Sequence, residues 1–473
     1  MTSHVAQGLV GTLILGALSS QFAGAQERPN IVFMLSDDQA WYGLSVQMHP
    51  DMPNSKSDFH QTPRLEELAS QGMRLSAAYS PSTVCAPTRA SLQTGKSPAQ
   101  NQWTKAAPIL TAADNARLIP PPDVDRNLPE EEITIGELLQ DAGYATAHYG
   151  KWHIAGGGPG NHGYDEHDGA TSNGDAAPFN EPDNPDDVVG MSNRALDFME
   201  EAREAGKPSF VQISYYPLHY PENASPDRVA AYQNLPPGEI HNNVQRAAIT
   251  EDLDMGVGII MDGLDRLGLS DNTYLIYMGD NGANGPAGAP IARGKGTVSE
   301  GGIRAPFIIR GPGIEPNSFS AVRMVGFDLF PTFAEWAGVE ELPPNIEGGS
   351  IASVFQNGGV GEIERPREQL VFHFPHYQSF GGPQTAILLG DLKLIKYYET
   401  GETRLYNLSD DIGETTDLSA EMSHKAAELE ALMGEHLAAI NAQLPIMNAH
   451  YDPNAPTSTG MGGAMGMGMG MGN

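Results

Sequence analysis

Residues 28–39 read RPNIVFMLSDDQ, and five consecutive apolar side chains, Ile31 to Leu35, stop abruptly at Ser36 and the aspartate pair Asp37 and Asp38. An apolar run without polar alternation fits a strand buried on both faces, as in a parallel sheet covered by helices. Ligands in such sheets bind beyond the carboxyl ends of the strands, so the two carboxylates stand where chemistry collects. The pattern recurs in NTYLIYMGDNG, residues 272–282, which ends in Asp280 and Asn281.

Outward from these strands, helical and strand patterns alternate. EEITIGELLQDAGYATAHYGKWH, residues 131–153, predicts a helix, a stop at Gly143 and a short strand ending at Gly150-Lys151. Asp187 to Ala205 predicts a helix, Phe210 to Tyr215 a buried strand, and Val244 to Leu267 a long helix. The expected fold is α/β, a large mixed, mostly parallel sheet sandwiched by helices. After about Pro366 the pattern changes to β-rich stretches around Thr400-Gly401 and a closing helix, Ala420 to Ala442, which predicts a smaller C-terminal α+β subdomain.

Residues 7–25 are apolar and end Ala23-Gly24-Ala25, the form of a signal-peptide cleavage site. The predicted organisation is therefore a signal peptide over 1–25, the large α/β domain over 26–365, a subdomain over 366–447 and a disordered Met- and Gly-rich tail over 448–473. Export to the periplasm or medium follows, with no membrane span after signal removal. The 473 residues carry a net charge of −32, which argues against a nucleic-acid partner. An anionic ligand would need a local cationic pocket working against that field.

The chain has one cysteine, Cys85, in STVCAPTRASLQTGK, residues 82–96, so no internal disulfide forms. Ser82 or Thr83 can cap a helix with Pro87 in its first turn, which puts Cys85 at the positive end of the helix dipole and Arg89 one turn in. Asp37, Asp38, Asp280 and Asn281 offer oxygen ligands for a hard cation, Ca²⁺ before Mg²⁺ or Mn²⁺. Lys151 and His153 in HYGKWH, His219 in YYPLHYP and Lys295 in IARGKGTVSEGGIRAP supply the cationic counterpart.

These pieces resemble the type I sulfatases of the alkaline-phosphatase-like superfamily. Cys85-Ala86-Pro87-Thr88-Arg89 matches their C-x-P-x-R signature, with Thr94-Gly95 following; Gly150-Lys151-Trp152-His153 matches the second signature, and GKGTVSEGGIRAPF the Lys-to-Glu-Gly-Gly segment. The likeness runs from about Pro29 to about Leu418. It implies that Cys85 is oxidised to formylglycine (3-oxoalanine) by a formylglycine-generating enzyme, and that the hydrated aldehyde attacks sulfur to form a covalent sulfate intermediate. Ca²⁺ would be held by Asp37, Asp38, Asp280, Asn281 and the modified Cys85. Arg89 would hold the diol, Lys151 and Lys295 the sulfate oxygens, His153 would deprotonate the diol, and His219 would protonate the leaving oxygen.

The substrate class expected from this resemblance is a sulfated carbohydrate, as oligosaccharide or glycan, or a small aryl sulfate ester. Trp41, Tyr42, His60 and Trp103 are candidates for a stacking rim, and His373 and His376 in VFHFPHY for contacts from the subdomain. Arg64 stands where the family usually has asparagine, after an insertion of about twenty residues, Trp41 to His60. Two other readings stay open: a phosphonate or phosphodiester hydrolase with the same nucleophile, and a non-catalytic anion-binding protein with an unmodified thiol.

Overall fold

The computed structural model describes residues 1–2, 28–106, 112, 115–122, 128–129, 131–283, 289–378 and 381–454. The expected signal sequence and the Met- and Gly-rich tail beyond Asn454 lie outside the described residues.

Eight strands build the main sheet: β1 (Asn30–Ser36), β2 (Met73–Leu75), β3 (Ala145–Gly150), β4 (Glu166–His167), β5 (Ser209–Ser214), β6 (Thr273–Gly279), β7 (Phe307–Arg310) and β8 (Ser318–Ser320). Their order is β8-β2-β7-β6-β1-β5-β3-β4. All neighbours pair parallel except β7, which runs antiparallel to both β2 and β6. The sheet is thus mixed and mostly parallel, as its apolar strands imply.

Strand β1 shows why its sequence lacks polar alternation. Val32 and Met34 pack into one core with the helices α4 (Val188–Glu204) and α5 (Val244–Leu267). Ile31, Phe33 and Leu35 pack into the opposite core with α2 (Cys85–Thr94), α3 (Ile135–Asp141) and α6 (Leu329–Trp336). Every residue of β1 is buried, so both periodic faces must be apolar. Helix α1 (Pro63–Gln71) begins beside α5, where Asp254 accepts the backbone N–H groups of Arg64 and Leu65 at 2.9 and 2.8 Å.

A four-stranded antiparallel sheet follows: β9 (Leu370–Phe374), β10 (Gln384–Leu389), β11 (Leu392–Tyr397) and β12 (Thr403–Asn407), in sequence order. Helix α7 (Ser423–Ala439) covers one face through Leu429, Met433 and Leu437. The other face packs on the large domain through Phe372, Phe374 and Tyr79. Among the described residues no helix is long and apolar enough to cross a membrane.

The stacking rim expected from Trp41, Tyr42, His60 and Trp103 is overturned. The inserted loop folds inward: Trp41, Tyr42, Leu44, Val46 and Met48 all join the core with α5. Trp41 is fully buried, its ring 5.3 Å from the Arg304 guanidinium. His60 is buried, with Nδ1 2.8 Å from the Gly43 carbonyl and its ring against His241. Trp103 is buried and donates its indole N–H to the Lys105 carbonyl at 3.1 Å.

His373 and His376 are also interior. His373 engages Thr385 Oγ1 at 2.7 Å and the Gln443 carbonyl at 3.0 Å, and His376 Nε2 lies 2.8 Å from Thr104 Oγ1. Both rings are buried, which leaves neither exposed to a substrate. Arg64 lies in the first turn of α1 against α5, pairing with Glu67 and with Asp262 of α5.

Candidate active site

Four strand ends and one helix mouth converge. Asp37 and Asp38 follow β1, Asp280 and Asn281 follow β6, Lys151 follows β3, and His219 stands a few residues beyond β5. Gly150 makes the turn out of β3 with φ +84, and a Cβ there would lie 2.2 Å from the Ser214 carbonyl oxygen. That close approach seats Lys151 against β1. Gly282 plays the same part after β6, where a Cβ would lie 1.9 Å from the Gly301 carbonyl oxygen, so the Asp280 loop and the Lys295 segment pack backbone to backbone.

Helix α2 begins at Cys85 itself. Val84 is its N-cap in extended conformation without a side-chain cap, so the cap expected from Ser82 or Thr83 does not form. The first N–H groups of α2 therefore remain open to an anion. All ten residues of α2 are buried; Arg89 pairs with Asp280, Gln93 donates to Gln212 at 3.0 Å and Thr94 to the Ala90 carbonyl, while Ser91 Oγ has no partner among the described residues.

Cys85 Sγ lies 3.3 Å from Asp37 Oδ1 and 3.8 Å from Asp38 Oδ1, and Lys295 Nζ stands 3.5 Å from it. Burial, reinforced by the Asp37 carboxylate, pushes the thiol well above its ordinary range, so sulfur carries its proton and donates to Asp37. Arg89 donates to Asp280 Oδ2 through Nε at 3.2 Å and Nη2 at 2.8 Å, and through Nη1 to the Lys151 carbonyl at 2.5 Å. Lys151 Nζ pairs with Asp37, and Lys295 Nζ donates to Asp38 Oδ2 at 2.7 Å. Asn281 Nδ2 donates to Asp38 Oδ1 at 2.7 Å.

The donor set fits a divalent cation. One ligand atom from each of Asp37, Asp38, Cys85 and Asp280 can lie within 4.8 Å of the others. Asn281 Oδ1 is buried and lacks a partner among the described residues, so it is an acceptor waiting for a cation. Burial and the Asp37 charge push the Asp280 carboxyl up to about 7 against the pull of Arg89. Burial opposes ionisation of Asp37 too, but Lys151 and Arg89 outweigh it and hold Asp37 well below the usual carboxylate range. Three carboxylates face three cationic side chains, so a bound dication leaves the centre positive and able to draw an anion into a chain of net charge −32.

Two histidines complete the set. His153 has φ +58 and a buried Nδ1 without a partner among the described residues. Burial, with Lys151 and Arg89 nearby, pushes it down to about 2, so the ring is a neutral proton acceptor. His219 Nδ1 lies 2.8 Å from the Tyr220 carbonyl. A carbonyl only accepts, so Nδ1 carries the proton and Nε2 is the nitrogen available to a ligand. Burial lowers its proton affinity while Asp37 opposes that shift.

Glu300, not among the residues expected from the sequence, has its carboxylate clamped by Arg304 Nε at 2.6 Å, Lys393 Nζ at 2.8 Å and the Tyr79 hydroxyl at 3.1 Å. Its position in the Glu-Gly-Gly run was the available signal. Lys393 on β11, fully buried in a subdomain strand, carried none.

A family model of sulfatases matches residues 29–339. A sulfatase of Formosa agariphila is 30% identical, with 91% of this chain and 92% of that protein aligned. The N-acetylgalactosamine-6-sulfatase of Mus musculus is 27% identical over 88% of this chain and 81% of its own. Among solved structures, Ps i-CgsB shares the fold at a TM-score of 0.72 and 22% identity, covering 87% of this chain and 93% of its own. A protein crystallised with its substrate D-glucosamine-2-N,6-O-disulfate does so at 0.67 and 20%, covering 88% and 98%. With a family match over well more than half its length, and the signature side chains gathered at the carboxyl ends of the central strands, the chain belongs to the sulfatases, the sulfuric ester hydrolases of the alkaline-phosphatase-like superfamily.

Proposed function

We propose that the protein removes sulfate from a sulfated carbohydrate, with Cys85 oxidised to formylglycine as its nucleophile and Ca²⁺ at Asp37, Asp38, Asp280 and Asn281. The observation that carries this reading is Cys85 at an uncapped helix mouth, flanked by Asp37, Asp38 and Lys295, beside an orphaned amide oxygen. The hydrated aldehyde supplies a second hydroxyl, which lets one residue both attack and release sulfate. The cation supplies Lewis-acid polarisation of a sulfate oxygen.

The chain's own residues divide the remaining work. Arg89, locked on Asp280 and the Lys151 carbonyl, holds the nucleophilic oxygen in line. Lys295, 3.5 Å from the Cys85 sulfur, and Lys151, paired with the neighbouring Asp37, neutralise charge on the sulfate oxygens. His153, neutral and buried, takes the proton whose loss expels sulfate. His219, oriented by the Tyr220 carbonyl, gives a proton to the leaving oxygen from Nε2 once the anionic ester raises its affinity.

Sulfated sugars are the favoured substrates because the relatives include N-acetylgalactosamine-6-sulfatases and the fold neighbours include proteins bound to a glucosamine disulfate and a neocarrahexaose. The apolar amino-terminal stretch supports export, and a formylglycine-generating enzyme is the partner in maturation. A side-by-side rate comparison on a sulfated monosaccharide, an aryl sulfate and an aryl phosphodiester tests the assignment. Faster turnover of the phosphodiester would replace it with phosphoryl transfer, and no turnover of any would leave an anion-binding protein.

A further inference from the structure

Beside Asp37, whose carboxylate meets Cys85, a solvent-open cleft is lined by Asp37 and His219. Tyr216, Asp186, Asn223 and Asn173 line it together with Tyr220, a residue 72% exposed. Asp186 is only 4% exposed, and its Oδ1 accepts from Asn223 Nδ2 at 2.8 Å. Asp186 and Asp187 are consecutive residues with positive φ, +48 and +59, a conformation costly for residues with a Cβ. It is fixed from outside: Asn180 Oδ1 accepts the Asp186 N–H at 3.0 Å, and Arg194 and Asn184 hold the Asp187 carboxylate at 2.8 and 3.1 Å. The turn aims a carboxylate into the cleft at the expense of backbone strain.

The lining fits one kind of ligand. A carboxylate and two carboxamides accept from and donate to hydroxyls, and an exposed phenol ring offers a flat apolar face. No lysine or arginine is among the described residues that line the cleft, so a second anionic group there would meet Asp186 uncompensated. His219 joins the cleft to the reacting centre, and the group bonded to the oxygen that it protonates must lie on this side.

We propose that this cleft holds the sugar ring carrying the scissile sulfate, with Tyr220 as stacking platform and Asp186 and Asn223 as readers of its hydroxyls, and that it selects an uncharged ring over a uronate or a multiply sulfated one. The assignment rests on the hydrolase reading above and deepens it. It also supplies the aromatic contact that Trp41 and Trp103, both buried, do not.

The test uses the full-length, formylglycine-bearing enzyme and three substrates: a monosulfated neutral hexose, the same sugar with a second sulfate, and a small aryl sulfate. In Asn223→Ala and Tyr220→Ala, the ratio of kcat/KM on the monosulfated sugar to that on the aryl sulfate falls about tenfold or more. Asp186→Asn narrows the wild-type preference for the monosulfated over the disulfated sugar by a factor of about five. Thermal melts of each variant separate loss of fold from loss of recognition. Unchanged ratios in folded Asn223→Ala and Tyr220→Ala, or a wild type that favours the disulfated sugar, overturn the subsite while leaving the hydrolase intact. No sulfate release from any of the three overturns both.

Discussion

Lys393 is the buried cation through which the C-terminal subdomain reaches the large domain, and replacing it with methionine isolates what that contact is worth. Its Nζ is 0% exposed and pairs with Glu300 at 2.8 Å and Glu414 at 2.7 Å. At an effective dielectric of about 20, each contact at that separation is about 6 kcal/mol of gross attraction. Much of it offsets the several kcal/mol needed to desolvate each ion. In Lys393→Met the attraction is lost while Glu300 and Glu414 stay buried, with only Arg304 to balance them, so the expected cost is about 3–5 kcal/mol. Glu300 suffers most: burial opposes its ionisation, and Lys393 and Arg304 together hold it down to about 2. Urea unfolding followed by both tryptophan fluorescence and far-ultraviolet dichroism reads the loss as a fall of about 1 M in midpoint. Lys393→Met/Glu414→Gln restores the charge balance and recovers at least about 1.5 kcal/mol. A single-variant cost below about 1 kcal/mol, or a double variant no better than the single, refutes the reasoning.

Asn281→Ala removes the orphaned buried oxygen and lowers Ca²⁺ affinity about tenfold, which at saturating calcium reduces the calcium-induced stabilisation by about 1.4 kcal/mol; calorimetric titration of the chelator-stripped protein measures it. Arg89→Lys loses the planar fork that spans Asp280 and the Lys151 carbonyl, and kcat on a sulfate ester falls about 100-fold with KM changed far less. Asp254, raised to about 7 by burial, has a folded-state pKa above its unfolded value, so its stabilising contribution is present below about pH 4 and is lost as pH rises through 7. Asp254→Asn keeps one acceptor oxygen for the Arg64 and Leu65 N–H groups, which bond separate oxygens of the aspartate, so it lowers the urea midpoint at acid pH while flattening its pH dependence between about pH 4 and 7.

What the sequence disclosed were features that one segment carries alone. Ile31 to Leu35 is apolar on both periodic faces because both faces are covered, and the aspartates after it mark the strand's end. Val244 to Leu267 was legible to the residue because Asn243 and Gly268 close it, the first accepting the Arg246 N–H and the second in the left-handed conformation. Features that depend on distant partners were not legible. Trp41 looks like a surface aromatic in a loop rich in Ser, Pro and His, yet alternate loop positions reach the core on α5. Tyr220, the exposed tyrosine of the cleft, differs from its buried neighbours Tyr215 and Tyr216 in nothing visible along the chain. The antiparallel β7 likewise depends on the path that the Lys295 segment takes across the sheet.

The central claim is that Cys85 acts as formylglycine, and the mass of one peptide tests it most directly. Trypsin cuts after Arg74 and Arg89 and releases Leu75–Arg89, with Cys85 as its only cysteine. In enzyme that hydrolyses sulfate esters, the account predicts this peptide about 18 Da lighter than its thiol form and reactive toward hydrazides as an aldehyde. The intact thiol peptide as the sole species in fully active enzyme would contradict it.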